Sequence, residues 1–107
     1  MKVKEVKRDQ TLTIILSAET CAYISIDSNN IDSIKYEKLK MRDWGYFEDL
    51  KITIQNPPDN FTFFLKESEF GRKGRVYVYE ISVSGENVSC QLQKQSHNGY
   101  YSIVGIL

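Results

Sequence analysis

Hydrophobic and polar residues alternate along several short stretches of the chain, which is the pattern of strands with one buried face. In the N-terminal half, the segment 11–16 (TLTIIL) is rich in β-branched residues. In the following segment CAYISID, Ala22, Ile24 and Ile26 fall on one face of a strand. A serine and two asparagines at 28–30 interrupt the alternation. The first half of the chain therefore predicts two strands.

The same period of two continues in the second half, with turn residues between the runs. Its alternating segments are 50–54, 61–65, 75–84 and 88–93. Pro57 and Pro58 follow the first of them and end it, because proline lacks a backbone donor. Residues 84–87 (SGEN) form a turn that predicts a β-hairpin. Residues 67–74 (ESEFGRKG), which contain two glycines, are predicted to be a loop.

The end of the chain is different, because residues 100–107 (YYSIVGIL) are almost wholly apolar. They follow Asn98-Gly99, a strong turn signal. A strand with two apolar faces is expected to lie centrally or beneath another chain, since an exposed apolar edge invites aggregation. Short strands with turns about every ten residues predict one all-β domain over 1–107, a small antiparallel β-sandwich of about seven or eight strands.

Residues 31–49 leave two interpretations open. Residues 37–41 (EKLKM) are good helix formers. Asp32 near the start and Arg42 near the end suit the helix dipole. Ile34 and Tyr36, however, alternate as in a strand. The segment predicts either a strand followed by a loop or one short helix around 31–42.

Composition narrows the classes of partner. The chain has 107 residues, which fits one domain. It carries 14 basic and 14 acidic residues, so its net charge is zero. Because nucleic-acid binders usually carry a basic excess, no nucleic-acid partner is expected. A neutral chain has little colloidal repulsion, which favours a protein that works while bound to a protein partner or to another copy of itself.

Hydropathy indicates a protein outside the membrane. No apolar run approaches the roughly 18 residues of a membrane span. The first ten residues (MKVKEVKRDQ) are charged and lack the apolar centre of a signal peptide. We therefore expect a virion or cytoplasmic location and no membrane partner.

The residues that carry chemistry are few and scattered. The single histidine, His97, stands beside the Asn-Gly turn and is interpreted as solvated, whereas nucleophilic catalysis needs a histidine within hydrogen-bond reach of a serine or cysteine nucleophile in the fold. Cys21 and Cys90 lie far apart and cannot form a zinc site alone. They are interpreted as small buried hydrophobes, and a disulfide between facing strands is the alternative. The sequence predicts no enzymatic activity, no cofactor and no metal site.

One aromatic cluster is a candidate binding surface. Arg42, Trp44, Tyr46 and Phe47 occupy a glycine-containing segment. Arginine and aromatic residues dominate protein interfaces and also stack on sugars. The alternative is a plug of aromatic rings in the core. Phe70, which lies close to two basic residues, is a second candidate.

A basic loop is the other candidate site. Arg72, Lys73 and Arg75 lie in or next to a short glycine-flanked segment. The segment is too short for a phosphate-binding loop and lacks its strand–loop–helix frame. It is either a solvated loop or a contact region for a partner of opposite charge.

Residues 71–95 (GRKGRVYVYEISVSGENVSCQLQKQ) resemble the ending of BACON-type immunoglobulin-like domains. Those domains close with a basic residue before an alternating strand, a glycine-bearing turn and a last strand that ends near glutamine. Here these features are Arg75, the strand 76–83, Gly85, and Gln93 or Gln95. The resemblance implies an immunoglobulin-like β-sandwich. It also implies a module that binds carbohydrate or glycoprotein in gut bacteria and their phages.

These observations predict a non-enzymatic structural or interaction module. The first expectation is an accessory or decoration subunit that docks on a larger assembly such as a phage particle. One alternative is a carbohydrate- or glycoprotein-binding module that uses the aromatic cluster. Another is a small protein inhibitor of a host enzyme that uses the basic loop.

Overall fold

A computed structural model describes residues 1–27, 33–70 and 74–97, except for the side chain of His97. The described part consists of seven antiparallel strands and one 3-10 turn at Asp43–Gly45. The strands are β1 (Lys2–Arg8), β2 (Thr11–Asp27), β3 (Ile34–Met41), β4 (Tyr46–Gln55), β5 (Asn60–Glu69), β6 (Arg75–Ser84) and β7 (Asn87–His97). The predicted all-β class is confirmed. The sandwich and immunoglobulin-like arrangements stay predictions.

The long strand β2 organises the sheet because it changes partners along its length. Its N-terminal part lies between β1 and β4, and the segment Ala22–Asp27 pairs with β5. The strand order is β3-β4-β2-β5-β6-β7, with β1 attached to β2 outside this path. The change follows a register shift between Ser17 and Thr20, where Glu19 has a φ of 45°. The two strands predicted at 11–16 and 22–26 are therefore one bent strand.

Both parts of the sheet contribute residues to one hydrophobic core. It takes alternate side chains from β2, β4, β5 and β6, as the period of two predicts. Its fully buried members include Leu12, Ile14, Leu50, Ile52, Phe63, Leu65 and Ile81. Cys90 of β7 packs against this core. Both cysteines are free, so the disulfide alternative is not realised.

The ambiguous segment is a strand, not a helix, over its described part. Residues 34–41 form β3, which pairs along β4 from Ile34↔Ile54 to Met41↔Phe47. Ile34 and Tyr36 follow the strand alternation in spite of the helix formers after them. Pairing with β4 supplies backbone hydrogen bonds and a surface for Ile34 to pack on, and these outweigh a weak helix propensity.

One further prediction, the loop at 67–74, is corrected in part, and another, the last strand, is untested. Glu67, Ser68 and Glu69, predicted as loop, extend β5. All three pair with β2, and Glu67 and Ser68 also pair with β6. The predicted last strand, 100–107, and the turn at 98–99 lie outside the described residues.

Arg8 connects the β4–β5 loop to the β6–β7 turn through hydrogen bonds. Its guanidinium donates hydrogen bonds to the carbonyl oxygens of Gly85 at 2.7 Å, Pro57 at 3.0 Å and Pro58 at 2.7 Å. A backbone bond from Gly85 N to Asp59 O, at 2.8 Å, joins the same two loops. The end of β1 therefore holds the β4–β5 loop and the β6–β7 turn together.

The carboxylate of Asp49 on β4 connects this strand to β1 and β3. Its carboxylate is buried and accepts hydrogen bonds from Lys4 Nζ of β1, at 3.0 and 3.3 Å. Lys40 Nζ of β3 lies 3.3 Å from the same carboxylate. The Lys4 ammonium is the main reason that the pKa of Asp49 lies below its usual value.

Candidate interaction surface

The β3–β4 turn presents the candidate aromatic residues at one end of the molecule. Arg42 N donates to Tyr46 O at 2.7 Å, which closes the turn, and the 3-10 segment Asp43–Gly45 forms its tip. Two consecutive residues of the tip, Trp44 and Gly45, have φ values of 64° and 80°. The left-handed region suits glycine but strains a bulky residue such as Trp44.

Among the large hydrophobic side chains that the structure describes, Trp44 is the most exposed, with 91% of its surface accessible. Tryptophan normally buries most of its indole, since this is the largest apolar side chain. The interpretation as a core plug is therefore wrong for Trp44. Because Trp44 lies at the tip of the turn, its ring is exposed to solvent. The exposed apolar surface and the left-handed backbone both cost free energy.

Phe70 joins the turn from the end of β5. Its backbone N donates to Cys21 O at 3.2 Å, and its ring lies directly over Gly45. The rings of Phe70 and Tyr23 meet edge to face with centroids 4.5 Å apart. Tyr23 is 69% and Phe70 37% exposed. We call Tyr23, Trp44 and Phe70 together the aromatic end.

Charged residues lie beside the aromatic end, and its rings remain exposed. The Arg42 guanidinium pairs with the carboxylate of Glu48 and lies 5.0 Å from the ring centroid of Tyr46. The hydrogen bond to Glu48 is the first cause that raises the pKa of Arg42. Asp43 beside Trp44 is exposed. This arrangement, exposed rings with an ordered arginine at their border, is the composition found at protein interfaces.

Lys38 contacts residues next to and within the aromatic end. Its Nζ lies 5.0 Å from the ring centroid of Phe47 and 5.9 Å from that of Phe70. The same Nζ donates to Ala22 O at 2.9 Å. One ammonium thus connects β3, the start of β4, the end of β5 and the second part of β2 through cation–π and hydrogen-bond contacts.

The predicted site residues divide into three groups. Arg42, Trp44 and Tyr46 lie on the turn, and Phe70 is brought to them by the sheet. Phe47 is fully buried in the core, as the core alternative predicts, and has no surface to offer a partner.

The basic loop, which holds the third group, is only partly described. Arg72 and Lys73 lie outside the described residues. Arg75 is exposed at the start of β6, and its backbone N donates to Glu69 Oε1 at 3.1 Å.

Sequence reasoning missed Tyr23. This residue stands on the polar side of the alternation in CAYISID, which predicts only that it points away from the core. Its contact with Phe70 depends on the pairing of β2 with β5, in which Tyr23 lies opposite Ser68. An exposed tyrosine in a strand that also contains serine and aspartate was the available signal, and it is a weak one.

Elsewhere the described residues offer shallow depressions with little ionisable lining. One, of about 260 Å³, is lined by residues of the β6–β7 hairpin, namely Ser82, Val83, Ser84, Asn87, Val88 and Ser89. Another, of about 120 Å³, lies beside Phe64 and contains one acid and one base, Asp27 and Lys66. Among the residues described, no cluster of histidine, cysteine, aspartate and glutamate could hold a metal ion.

A buried polar pair lies on the core side of β5 and β6. Tyr79 OH donates to Glu67 Oε1 at 3.3 Å, and both side chains are almost wholly buried. Burial, followed by the Glu67 carboxylate, raises the pKa of Tyr79 far above its usual value. The phenol therefore remains a neutral hydrogen-bond donor, and its bond compensates the burial of Glu67.

A helix that is long and apolar enough to cross a membrane is not found in the described part of the chain. A comparison with protein-family models, with curated proteins and with solved structures gives no match. The resemblance of residues 71–95 to BACON-type domains is neither supported nor opposed by these comparisons.

Proposed function

We propose that this protein is a non-enzymatic interaction module that docks on a larger protein assembly through its aromatic end. The observation that carries the proposal is Trp44, which is 91% exposed on a left-handed backbone. A virus particle such as a phage is one assembly of this kind, in keeping with the virion or cytoplasmic location expected from the sequence.

Trp44 imposes two energetic costs on the free chain. Leaving an indole in water forgoes the contribution of burying a large aromatic side chain, on the order of 2–3 kcal/mol. A left-handed conformation at a residue with a β-carbon costs about 1–2 kcal/mol more. Trp44 is not part of the core, so packing within the fold does not offset either cost. Strain and exposure of this kind are retained where they serve recognition.

The neighbours of Trp44 supply the rest of an interface. Tyr23 and Phe70 extend the apolar area, and the Arg42–Glu48 pair forms a polar border. Tryptophan, tyrosine and arginine are the residues that contribute most binding energy at interfaces. The partner that fits is a protein with an apolar pocket for the indole and polar groups around it.

A carbohydrate-binding module is the second candidate, and the same exposed indole favours it. A flat ring in solvent can pack against the apolar C–H face of a sugar ring. This alternative requires Trp44 but not the apolar area of Tyr23 and Phe70. The inhibitor alternative depends on the basic loop, where Arg75 is exposed.

Site-specific photo-crosslinking tests the proposal. A photoreactive phenylalanine derivative is placed at position 44, and at the exposed position 92 on β7 as a matched control. Crosslinked material from the source organism is identified by mass spectrometry. The isolated partner is then titrated with wild type, Trp44→Ala, Phe70→Ala and the control Leu92→Ala. A glycan array with the same variants examines the second candidate.

We expect crosslinks to one protein from position 44 and not from position 92. We expect Trp44→Ala to weaken binding of that protein about 30-fold or more, which corresponds to a hot-spot residue. Phe70→Ala should weaken it less, and Leu92→Ala should have no effect. Equal affinity of wild type and Trp44→Ala for every crosslinked partner would refute protein docking. Sugar binding lost only in Trp44→Ala would establish the second candidate instead.

A further inference from the structure

β7 is an edge strand of the described part of the sheet, and its core side is partly uncovered. It pairs with β6 along one side, and no described strand pairs with its other side. Leu92 lies opposite the core residue Tyr79 and is nevertheless 49% exposed. Cys90, the next residue along this face, is only partly buried. The core therefore extends to β7 but is not closed beyond it.

The free edge of β7 also lacks the protection that the other edges of the described sheet have. Natural sheets protect an exposed edge with charged side chains, especially lysine. Such residues are frequent on the edge strands β3 and β1, which carry Lys35, Glu37, Lys38 and Lys40, and Lys2, Lys4, Glu5, Lys7 and Arg8. β7 has no charged residue from 87 to 93. Nothing in its composition opposes the addition of another strand.

The residues that follow β7 have the composition and length of such a strand. Asn98-Gly99 favours a two-residue turn, which reverses the chain alongside the strand that precedes it. Residues 100–107 (YYSIVGIL) carry no charge and are almost wholly apolar. When extended, these eight residues span about 26 Å, which is enough to reach back along β7 as far as Cys90.

We propose that residues 100–107 form an eighth strand, which pairs with the free edge of β7 and covers the open side of the core. The two-residue turn favours this occupant over any other chain, because a short tether gives the segment a high effective concentration at the edge. The half-buried side chains of β1 that border the same core, Met1, Val3 and Val6, offer the strand a second apolar surface. The aromatic end takes no residue from β7, so this proposal is independent of docking.

The turn and an irregularity in β7 set the register of the proposed strand. Residues on either side of a two-residue turn pair directly, so Tyr100 lies opposite His97. Further along, β7 has one extra residue, Gln93, because Lys94 and Leu92 lie opposite consecutive residues of β6. A bulge sets two residues against one, so the new pairing shifts by one position there.

This register brings apolar side chains together on the core side. Beyond the bulge, Leu92 lies opposite Val104, and Cys90 lies opposite Ile106. Directly opposite residues of an antiparallel pair share a face and contact each other, so Val104 covers the exposed part of Leu92. Ile103 points to the other face of the strand, away from the core.

Two backbone amides of β7 report on the pairing. Ser84 and Asn87 flank the turn at Gly85 and pair with each other, so the backbone groups of Asn87 point towards β6. These groups alternate along a strand, and those of Cys90 and Leu92 therefore point to the free edge. No described strand accepts from these two amides. They exchange slowly only if another strand pairs with β7.

The test compares two substitutions on opposite faces of the proposed strand. Val104→Lys places a charge on the core side, against Leu92. Ile103→Lys is the matched control, because it makes the same kind of change one residue away on the outer face. Amide hydrogen exchange of the whole chain is measured residue by residue with NMR. Mass is measured by size-exclusion chromatography with light scattering.

We expect wild type and Ile103→Lys to be monomeric, with the Cys90 and Leu92 amides exchanging about 100-fold or more slowly than in an unstructured peptide. In Val104→Lys this protection should fall about tenfold or more. Fast exchange of both amides in wild type overturns the inference, and so do equal effects of the two substitutions. Protection that appears only as the mass doubles also overturns it, because a second copy then covers the edge. If Val104→Lys fails to fold, the pair Val104→Ala and Ile103→Ala gives the same outcomes.

Discussion

The ring of Phe70 lies so close to Gly45 that a β-carbon at position 45 would approach Phe70 Cε2 to 2.7 Å. Gly45 also has a φ of 80°. Two independent constraints therefore require glycine at the base of the Trp44 turn. This contact couples the β3–β4 turn to the end of β5 and builds the aromatic end from segments that are distant in the sequence.

Gly45→Ala should accordingly destabilise the protein by about 2–3 kcal/mol, because the new methyl group must displace Phe70 as well as adopt a left-handed backbone. Gly85→Ala is the matched control. Gly85 has a φ of 63°, and a β-carbon at this position would meet nothing within 4 Å. Only the backbone cost of about 1 kcal/mol applies there. Urea unfolding of the two variants checks the difference, and equal losses would contradict a tight Phe70–Gly45 contact.

Arg8→Met should cost about 2–4 kcal/mol of stability. It removes the donor from three backbone carbonyls, those of Gly85, Pro57 and Pro58, and the Arg8 side chain is only 13% exposed. Lys7→Met, on the exposed side of the same strand, should change stability by less than about 0.5 kcal/mol. Thermal and urea unfolding measure both. A loss at Arg8 no larger than that at Lys7 would show that the loops hold without the guanidinium.

Asp49 should make the fold sensitive to acid. The pKa of its carboxyl is lowered in the folded protein, chiefly by the hydrogen bond from Lys4, from a usual value of 3.8. The stabilisation is therefore fully present above that usual value and is lost as pH falls through the lower, folded pKa. The difference in unfolding free energy between wild type and Asp49→Asn should shrink as pH falls from about 6 towards about 3.

The exposed Asp43→Asn variant controls for the loss of one negative charge in the Asp49 experiment. Urea unfolding at a series of pH values gives the required free energies. A wild-type advantage over Asp49→Asn that is constant across this range would show that the carboxylate charge does not hold β1 and β3 to β4.

Trp44→Asn should leave the fold intact and stabilise it by about 0.5–1 kcal/mol, because asparagine tolerates the left-handed region better than tryptophan. The same substitution should abolish docking at the aromatic end. Glu19→Asn, at another left-handed position in the bend of β2, is the control. It should also be neutral or stabilising but should leave docking unchanged. A Trp44→Asn variant that unfolds more easily than wild type would mean that the indole serves the fold.

The alternation of apolar residues predicted the strands that supply the core, because burial of one face imposes a period of two. It did not reveal β1. Val3 and Val6 both pack against the core, but they are three residues apart, since a register shift between Val3 and Glu5 adds one residue. A bulge of this kind interrupts the two-residue alternation of apolar and polar residues by which a strand is recognised in a sequence.

The candidate surface was predictable only where its members are close in sequence. Arg42, Trp44 and Tyr46 lie within one turn, and their residue types indicated an interface. Whether Trp44 was buried could not be decided, because the left-handed backbone that turns it outward follows from the closure of the turn. Tyr23 and Phe70 join it through the pairing of β2 with β5, which is set by the three-dimensional order of the strands.

Docking through the aromatic end requires that Trp44 is free in the isolated chain and covered in the assembly. Trp44 is the single tryptophan, so its fluorescence reports on this position alone. Collisional quenching by acrylamide, measured with and without the crosslinked partner, distinguishes the two states. We expect quenching as efficient as that of a free tryptophan amide in the isolated chain and strong protection in the complex. An indole shielded in the monomer, or quenched equally in a saturated complex, would rule out docking through this residue.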